Sequence, residues 1–461
     1  MTKKKIKSYI PEIFLAIACL VITIVGIKPV IDCAWSVRVG WGGFKTSLQG
    51  FIGIGFLALS TGLALIAFKD GGLWKGFSAF ERRRLQIMAA LFLMTLGVIA
   101  FSTIRFKPGI EFALKYASGA AGLFTVSWCL FYIRNDAKRL FWLSAFVLVS
   151  FAVLCGAMLL QVFGLIQWQV FDLVPWMPPN GFASWAQVPR LTGFYYHPLD
   201  VFRTGIWGFL FLLFFIFRAK KSKLFRFVLL MIAFQVLALW TTHRASFLVM
   251  ILATVLAVFF FKAPKRGTLA LSAIAVGWLI GVISYVSYND IQVSSLFSKL
   301  HFVDSRFVEQ RRDTLPKSES PKITESLKPW AEIGVARGRS YIWYDHIQWI
   351  ADFSADEMIW GTRKAFPKGK EAEPHSQVLD LIERFGFVGL FLFIALYGYS
   401  FVSLPVTWYW KGFALAMLGW YGLITESLVM PTFTWWAMLF ACVPIWAKAF
   451  WPNELKTEQR T

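Results

Sequence analysis

The sequence predicts an all-α polytopic membrane protein of about twelve transmembrane helices with one large helical loop, and three observations carry the prediction. Of its 461 residues 57% are hydrophobic, 18% aromatic and only 16% charged, where soluble domains carry about a quarter charged residues; the mean hydropathy is +0.59. The apolar residues fall into runs close to the length of a span, about 20 residues each. Lysine and arginine gather in short segments at alternate ends of those runs: Lys69 to Arg84, Arg134 to Arg139, Arg218 to Arg226, Lys262 to Arg266, and the C-terminal tail. The formal charge of +21 is therefore a topology signal that puts the short basic loops in the cytoplasm, and no nucleic-acid partner is expected.

The first span is predicted over 10–30. The basic start Lys3-Lys4-Lys5 followed by an apolar run resembles a leader, yet no small-residue cleavage site follows, so it reads as a retained helix. Spans two to five are expected at 48–68, 87–104, 110–133 and 140–166, with Trp35 and Trp41 at the interfacial depth that suits tryptophan. A Trp- and Pro-rich segment, 167–198, precedes span six at 199–217. Spans seven and eight, 227–240 and 245–261, are short, and Thr241-Thr242-His243-Arg244 lies between them at the outer surface. Span nine, 269–285, leads into the long loop. Spans ten to twelve are expected at 386–410, 413–429 and 434–450. Both termini then fall in the cytoplasm, and the chain divides into 1–287, the loop 288–385 and 386–461. No internal repeat is visible. Cys19, Cys129, Cys155 and Cys442 lie in spans and Cys33 just beyond one, a pattern that fits neither a metal site nor a structural disulfide.

The loop is where chemistry is expected. It is nearly neutral, with about 14 basic and about 15 acidic residues, and too rich in aromatic and periodic apolar residues for disorder. Arg339, Trp343, Ile347 and Ile350 share one face at helical spacing, as in a helix lying on a membrane. A second helix is expected to begin near Pro374, proline being favoured in a first turn, with Val378, Leu379 and Ile382 turned toward the protein.

His375 would then sit in that first turn, where the helix dipole disfavours imidazolium and leaves a ring able to accept a proton; a surface histidine at a helix end is the plainer reading. Arg244, an arginine on the outer side against the usual bias, suits paired hydrogen bonds to phosphate; a lipid-headgroup contact is equally compatible. Arg190, His197 and Arg203 form a weaker set, for which a structural role is favoured, as it is for His243 and His346. The chain shows no Walker loop, zinc-ligand spacing or serine elbow.

Together these residues resemble the bacterial O-antigen ligase and polymerase superfamily. The resemblance rests on Thr242-His243-Arg244-Ala245-Ser246, on Gly338-Arg339 four residues before Trp343, and on His375-Ser376 followed by Glu383-Arg384-Phe385-Gly386 and Gly389. Arg190 to Pro198 is similar to the family's aromatic-His-Pro stretch. Two departures stand out: Leu199-Asp200 follow His197-Pro198 where the family often has Asn, and the glycine step before the histidine is Gly361-Thr362-Arg363. The first puts any role of His197 in doubt; the second makes Arg363 a further phosphate ligand to consider.

The resemblance implies a GT-C-type glycosyltransferase architecture in the cell inner membrane with its active site facing the periplasm. It implies an undecaprenyl-diphosphate-linked glycan as donor and, for a ligase, a sugar hydroxyl of lipid A-core as acceptor, with no metal, nucleotide sugar or other cofactor. Carried over, Arg244, Arg339 and Arg190 bind the diphosphate and His375 acts as general base in an inverting transfer. The nearest alternative is O-antigen polymerase, whose acceptor is another lipid-linked glycan. A transporter of the same lipid and a non-catalytic scaffold are the readings outside that class.

Overall fold

The computed structural model describes residues 42–68, 77–106, 110–133, 135–163, 165, 191, 198–241, 244–288, 337–362, 376–404, 406–424, 438 and 440–451. Among them the elements are all α-helices. Before the long loop stand α1 (Gly42–Ala67), α2 (Ala79–Phe106), α3 (Ile110–Tyr132), α4 (Ala137–Val162), α5 (Pro198–Arg218), α6 (Lys221–Trp240), α7 (Arg244–Phe261) and α8 (Pro264–Tyr288). The loop contributes α9 (Arg337–Ala351) and α10 (Ala355–Trp360), and α11 (Gln377–Val402), α12 (Trp408–Ile424) and α13 (Val443–Phe450) follow. Among the described residues four stretches, Ala79–Arg105, Lys221–Trp240, Pro264–Tyr285 and Gln377–Val402, are long and apolar enough to cross a membrane. The first expected span, 10–30, lies outside the described residues.

The helices show the two faces of a membrane bundle. On α2, Met88, Phe92, Thr95, Ile99 and Ser102 are buried at a period of three to four, while Ile87, Met94, Phe101 and Ile104 are exposed. A soluble helix would put polar residues on that outer face; here both faces are apolar, as hydrocarbon surroundings require. Contact between helices relies on small residues, since burial from lipid adds little driving force. Thus α3 buries Ala113, Ala117, Ala120 and Ala121, and Ser60 Oγ of α1 lies 2.7 Å from Thr125 Oγ1 of α3. On α8, a Cβ at Gly277 would come within 2.8 Å of the Ile232 carbonyl oxygen, and one at Gly281 within 2.9 Å of Leu239 Cδ2. Those two glycines let α8 lie directly against α6, and the seam is pinned by Trp278 Nε1 donating to Gln235 Oε1 at 2.8 Å.

Three expectations about the loop need correction. The face of α9 is turned: His346 is fully buried and Ile350 nearly so, whereas Ile347 is 52% exposed. The helix after the loop begins at Gln377 with an extended Ser376 as its N-cap, so His375 precedes the cap instead of occupying the first turn. On that helix Ile382 is buried as expected, but Val378 and Leu379 are only half-buried, and the inward stripe runs through Gln377, Asp380 and Glu383. The physical reason is common to all three: polar side chains that find partners inside displace the apolar ones that a hydropathy pattern would put there.

Candidate functional site

The loop helices meet the bundle at one junction, where α9 and α10 pack on α11 and α11 packs on α2 and α3. Two glycines with positive φ make the approach possible. Gly386 has φ 64° and ψ −169° and kinks α11; Gly361, just past the end of α10, has φ 91°. A Cβ at Gly386 would stand 2.2 Å from the Ile359 carbonyl oxygen, and one at Gly361 2.4 Å from the Arg384 carbonyl oxygen. The two backbones are therefore in contact, which no side chain would permit. A helix broken at Gly386 leaves carbonyls of the preceding turn without their i+4 donor, and the Thr362 N–H supplies one, donating to the Glu383 carbonyl at 2.8 Å.

Around this backbone contact the first turns of α11 bury a line of polar groups. His346 Nδ1 of α9 lies 2.5 Å from Glu383 Oε1, with the histidine fully buried and Glu383 7% exposed. Arg384 Nε donates to Asp380 Oδ1 at 2.6 Å. Gln377 Nε2 donates to the Tyr116 hydroxyl of α3 at 2.8 Å, and the Tyr116 ring meets Phe385 edge-on at 4.9 Å and Phe393 at 5.8 Å. Each buried group is thereby partnered, as burial demands, apart from Gln377 Oε1, which has no partner among the described residues.

α10 is set by a capping box in which the Ser354 side chain accepts from the Glu357 N–H and Glu357 reaches back to the Ser354 N–H. Glu357 Oε1 also accepts from Thr362 Oγ1 at 2.8 Å. Ser102 Oγ of α2 donates to the Trp360 carbonyl at 3.1 Å, and Arg105 pairs with Asp356. Beside the junction a cavity of about 240 Å³ opens between α3, α11 and α12, bounded by Tyr116 and Gln377 at its polar end and by Leu390, Phe393, Leu415 and Leu418 along its walls.

Of the residues singled out in the sequence, Arg190, His197, Arg363 and His375 lie outside the described residues. Arg244 opens α7 and Arg339 stands in the first turn of α9; their side chains lie outside the described set. Several of their chain neighbours are nonetheless fixed. The Leu191 N–H donates to the Trp240 carbonyl at 3.0 Å, which ties the residue after Arg190 to a point four residues before Arg244. Thr362 and Ser376, the neighbours of Arg363 and His375, both belong to the junction just described. Tyr116, Gln377 and the His346–Glu383 pair were not marked as functional in the sequence. The available signal was the i, i+3, i+6 spacing of Gln377, Asp380 and Glu383, three polar residues on one helical face.

Comparison of the chain with protein-family models, with curated proteins and with solved structures finds no match.

Proposed function

We propose that this protein is a membrane glycosyltransferase of the O-antigen ligase kind, moving an undecaprenyl-diphosphate-linked glycan onto a sugar hydroxyl of lipid A-core on the periplasmic side of the inner membrane. The observation that carries the reading is the junction itself. Gly386, in the motif that suggested the resemblance, and Gly361, in the step before the histidine where the chain departs from the family's pattern, are two glycines whose missing side chains let the loop dock against the spanning helix. A segment so tightly held is suited to keep a reacting group in register, since effective concentration depends on fixed geometry.

In this reading the guanidiniums of Arg244 and Arg339, joined by Arg190, hold the diphosphate. They stabilise the negative charge that grows on it as the glycosidic C–O bond breaks. His375 removes the proton of the acceptor hydroxyl as its oxygen attacks the anomeric carbon, a task suited to a group whose pKa lies near ambient pH. One displacement of this kind inverts the anomeric centre, and the proton passes to the imidazole while the diphosphate leaves on the lipid.

The test is transfer in detergent by purified wild type, Arg244→Ala, Arg339→Ala and His375→Ala, offered lipid-linked glycan with lipid A-core or with a second lipid-linked glycan. Glycan on lipid A-core from wild type, with loss of at least about a hundredfold in His375→Ala, is the expected result. Lengthening of the lipid-linked glycan alone replaces the ligase with a polymerase, and undiminished transfer by His375→Ala removes the general base.

A further inference from the structure

We infer that the cavity between α3, α11 and α12 holds the hydrocarbon chain of the lipid-linked donor, with the lipid's polar end at Gln377 and Tyr116; the identity of the lipid rests on the function proposed above. The cavity is apolar along its length, through Leu381, Leu390, Phe393, Ile394 and Leu415. An apolar void of about 150 Å³ already accommodates a benzene ring, so about 240 Å³ has room for a segment of chain. The space is open at the outer face of the bundle, where Ile394 is 56% exposed and Gly419 is exposed, which gives a hydrocarbon chain a way in from the side.

Two glycines of the wall leave the space wider than side chains would. Gly398 of α11 and Gly419 of α12 both line it, and a Cβ built at either meets nothing within 4 Å. Alanine would be the better helix former at both positions. A Cβ at Gly277, Gly281, Gly386 or Gly389 would collide with a neighbouring atom at 2.9 Å or less, whereas Gly55, Gly62, Gly97 and Gly156 resemble Gly398 and Gly419 in meeting none. At Gly398 and Gly419 there is no neighbour to avoid, and the added carbon would project into the cavity.

The polar end supplies the second observation. Gln377 is 1% exposed, donates through Nε2 to Tyr116 and leaves Oε1 free; turning the amide over would free Nε2 instead. Since it accepts from Gln377, the Tyr116 hydroxyl keeps its own proton to donate. In either amide orientation the pair keeps a donor at the end of an apolar channel, the Tyr116 O–H in one and the Gln377 N–H in the other, for a phosphate oxygen of a lipid whose chain lies along the helices. Gln377 is two residues from His375 in the chain, so a lipid seated this way presents its head at the start of α11.

The experiment is photocrosslinking of purified full-length protein in detergent with a polyprenyl diphosphate that carries a benzophenone in its chain but no glycan. The labelled peptide is then read by mass spectrometry. Label is expected within residues 390–419 of wild type, and is expected to fall at least about tenfold in Gly398→Leu and Gly419→Leu, which add a side chain to the wall at positions where a Cβ meets nothing within 4 Å. Gly398→Ala should keep most of it. In glycan transfer the two leucine variants should raise the donor KM about tenfold with kcat little changed, the signature of lost uniform binding, and leave the acceptor KM alone. Labelling confined to other segments, equal labelling in both leucine variants, or labelling of 390–419 only by a benzophenone phospholipid overturns the proposal. Should the leucine variants fail to fold, the position of the wild-type label still decides. Labelling at 390–419 without any glycan transfer sinks the proposed function and leaves the cavity assignment standing; transfer without label there does the reverse.

Discussion

His346 and Glu383 show how one buried pair fixes the rotation of a helix. Both lie out of water and are bonded at 2.5 Å, so neither is easily lost alone: removing one partner of a buried pair costs about 3–5 kcal/mol, because the other is left unpaired. His346→Leu should therefore lower the unfolding free energy in detergent by about 3 kcal/mol. Glu383→Gln, which still offers an oxygen to the ring, should cost less. The double replacement by leucine should recover part of the single loss, and an additive double loss would refute the pairing. The pair also bears on Arg339, seven residues earlier and so two turns up the same face of α9. If His346 sets that face, His346→Phe should reduce glycan transfer through kcat at temperatures where the variant remains folded. A kcat equal to wild type would leave the pair a purely structural role.

At the scale of elements, the contact between α10 and α11 is a matter of backbone, and the magnitudes identify what holds it. The Arg105–Asp356 ion pair is exposed, at 34% and 52%, and such pairs are worth about 1 kcal/mol or less. Gly386 occupies a backbone region that is nearly glycine-only, where a side chain costs about 1–3 kcal/mol before any collision, and its Cβ would strike the Ile359 carbonyl oxygen at 2.2 Å. Asp356→Asn should consequently change the melting temperature little, whereas Gly386→Ala should lower it by several degrees and free α10 to limited proteolysis near 351–362. Comparable melting points for the two would mean that the ion pair does more than its exposure suggests. The helices were legible in the sequence in unequal measure. α3 and α7 lie within a residue of the expected 110–133 and 245–261, whereas α2 and α8 begin well before the expected 87 and 269, at Ala79 and Pro264. The rotation of α9 and the start of α11 were not legible, because hydropathy assigns His346, Gln377, Asp380 and Glu383 to solvent. Their burial depends on partners from other helices, Tyr116 being 261 residues away from Gln377 in the chain. Gly386 was visible in a motif and Gly361 as a departure from the family's pattern, but nothing local in the sequence says that they touch each other's segments.

For the whole molecule, the polar groups at two places suggest which end faces which compartment. The loop helices, with Asp352 and Asp356 on exposed positions, cover one end of α11. Elsewhere the basic turns collect Arg218, Lys220, Lys221 and Lys265, and there Arg266 reaches inward. Its guanidinium donates to the Ile216 carbonyl at 3.2 Å and the Ala219 carbonyl at 3.0 Å, which satisfies the free carbonyls at the end of α5 and places a cation where the helix dipole favours one. The proposed function requires these short basic turns, in keeping with the usual charge bias, to lie on the cytoplasmic side and the loop on the periplasmic side. Substituted cysteines in a background without the five native ones test this orientation, with Lys265→Cys marking the basic turn and Asp352→Cys the loop, both at exposed sites. A membrane-impermeant maleimide applied to cells with a permeabilised outer membrane should label Asp352→Cys at once and Lys265→Cys only after lysis. The reverse result would invert the topology and put the proposed acceptor, lipid A-core in the outer leaflet, out of reach of the site. Labelling of both in unlysed cells would place the loop and the basic turns on one side and refute the orientation.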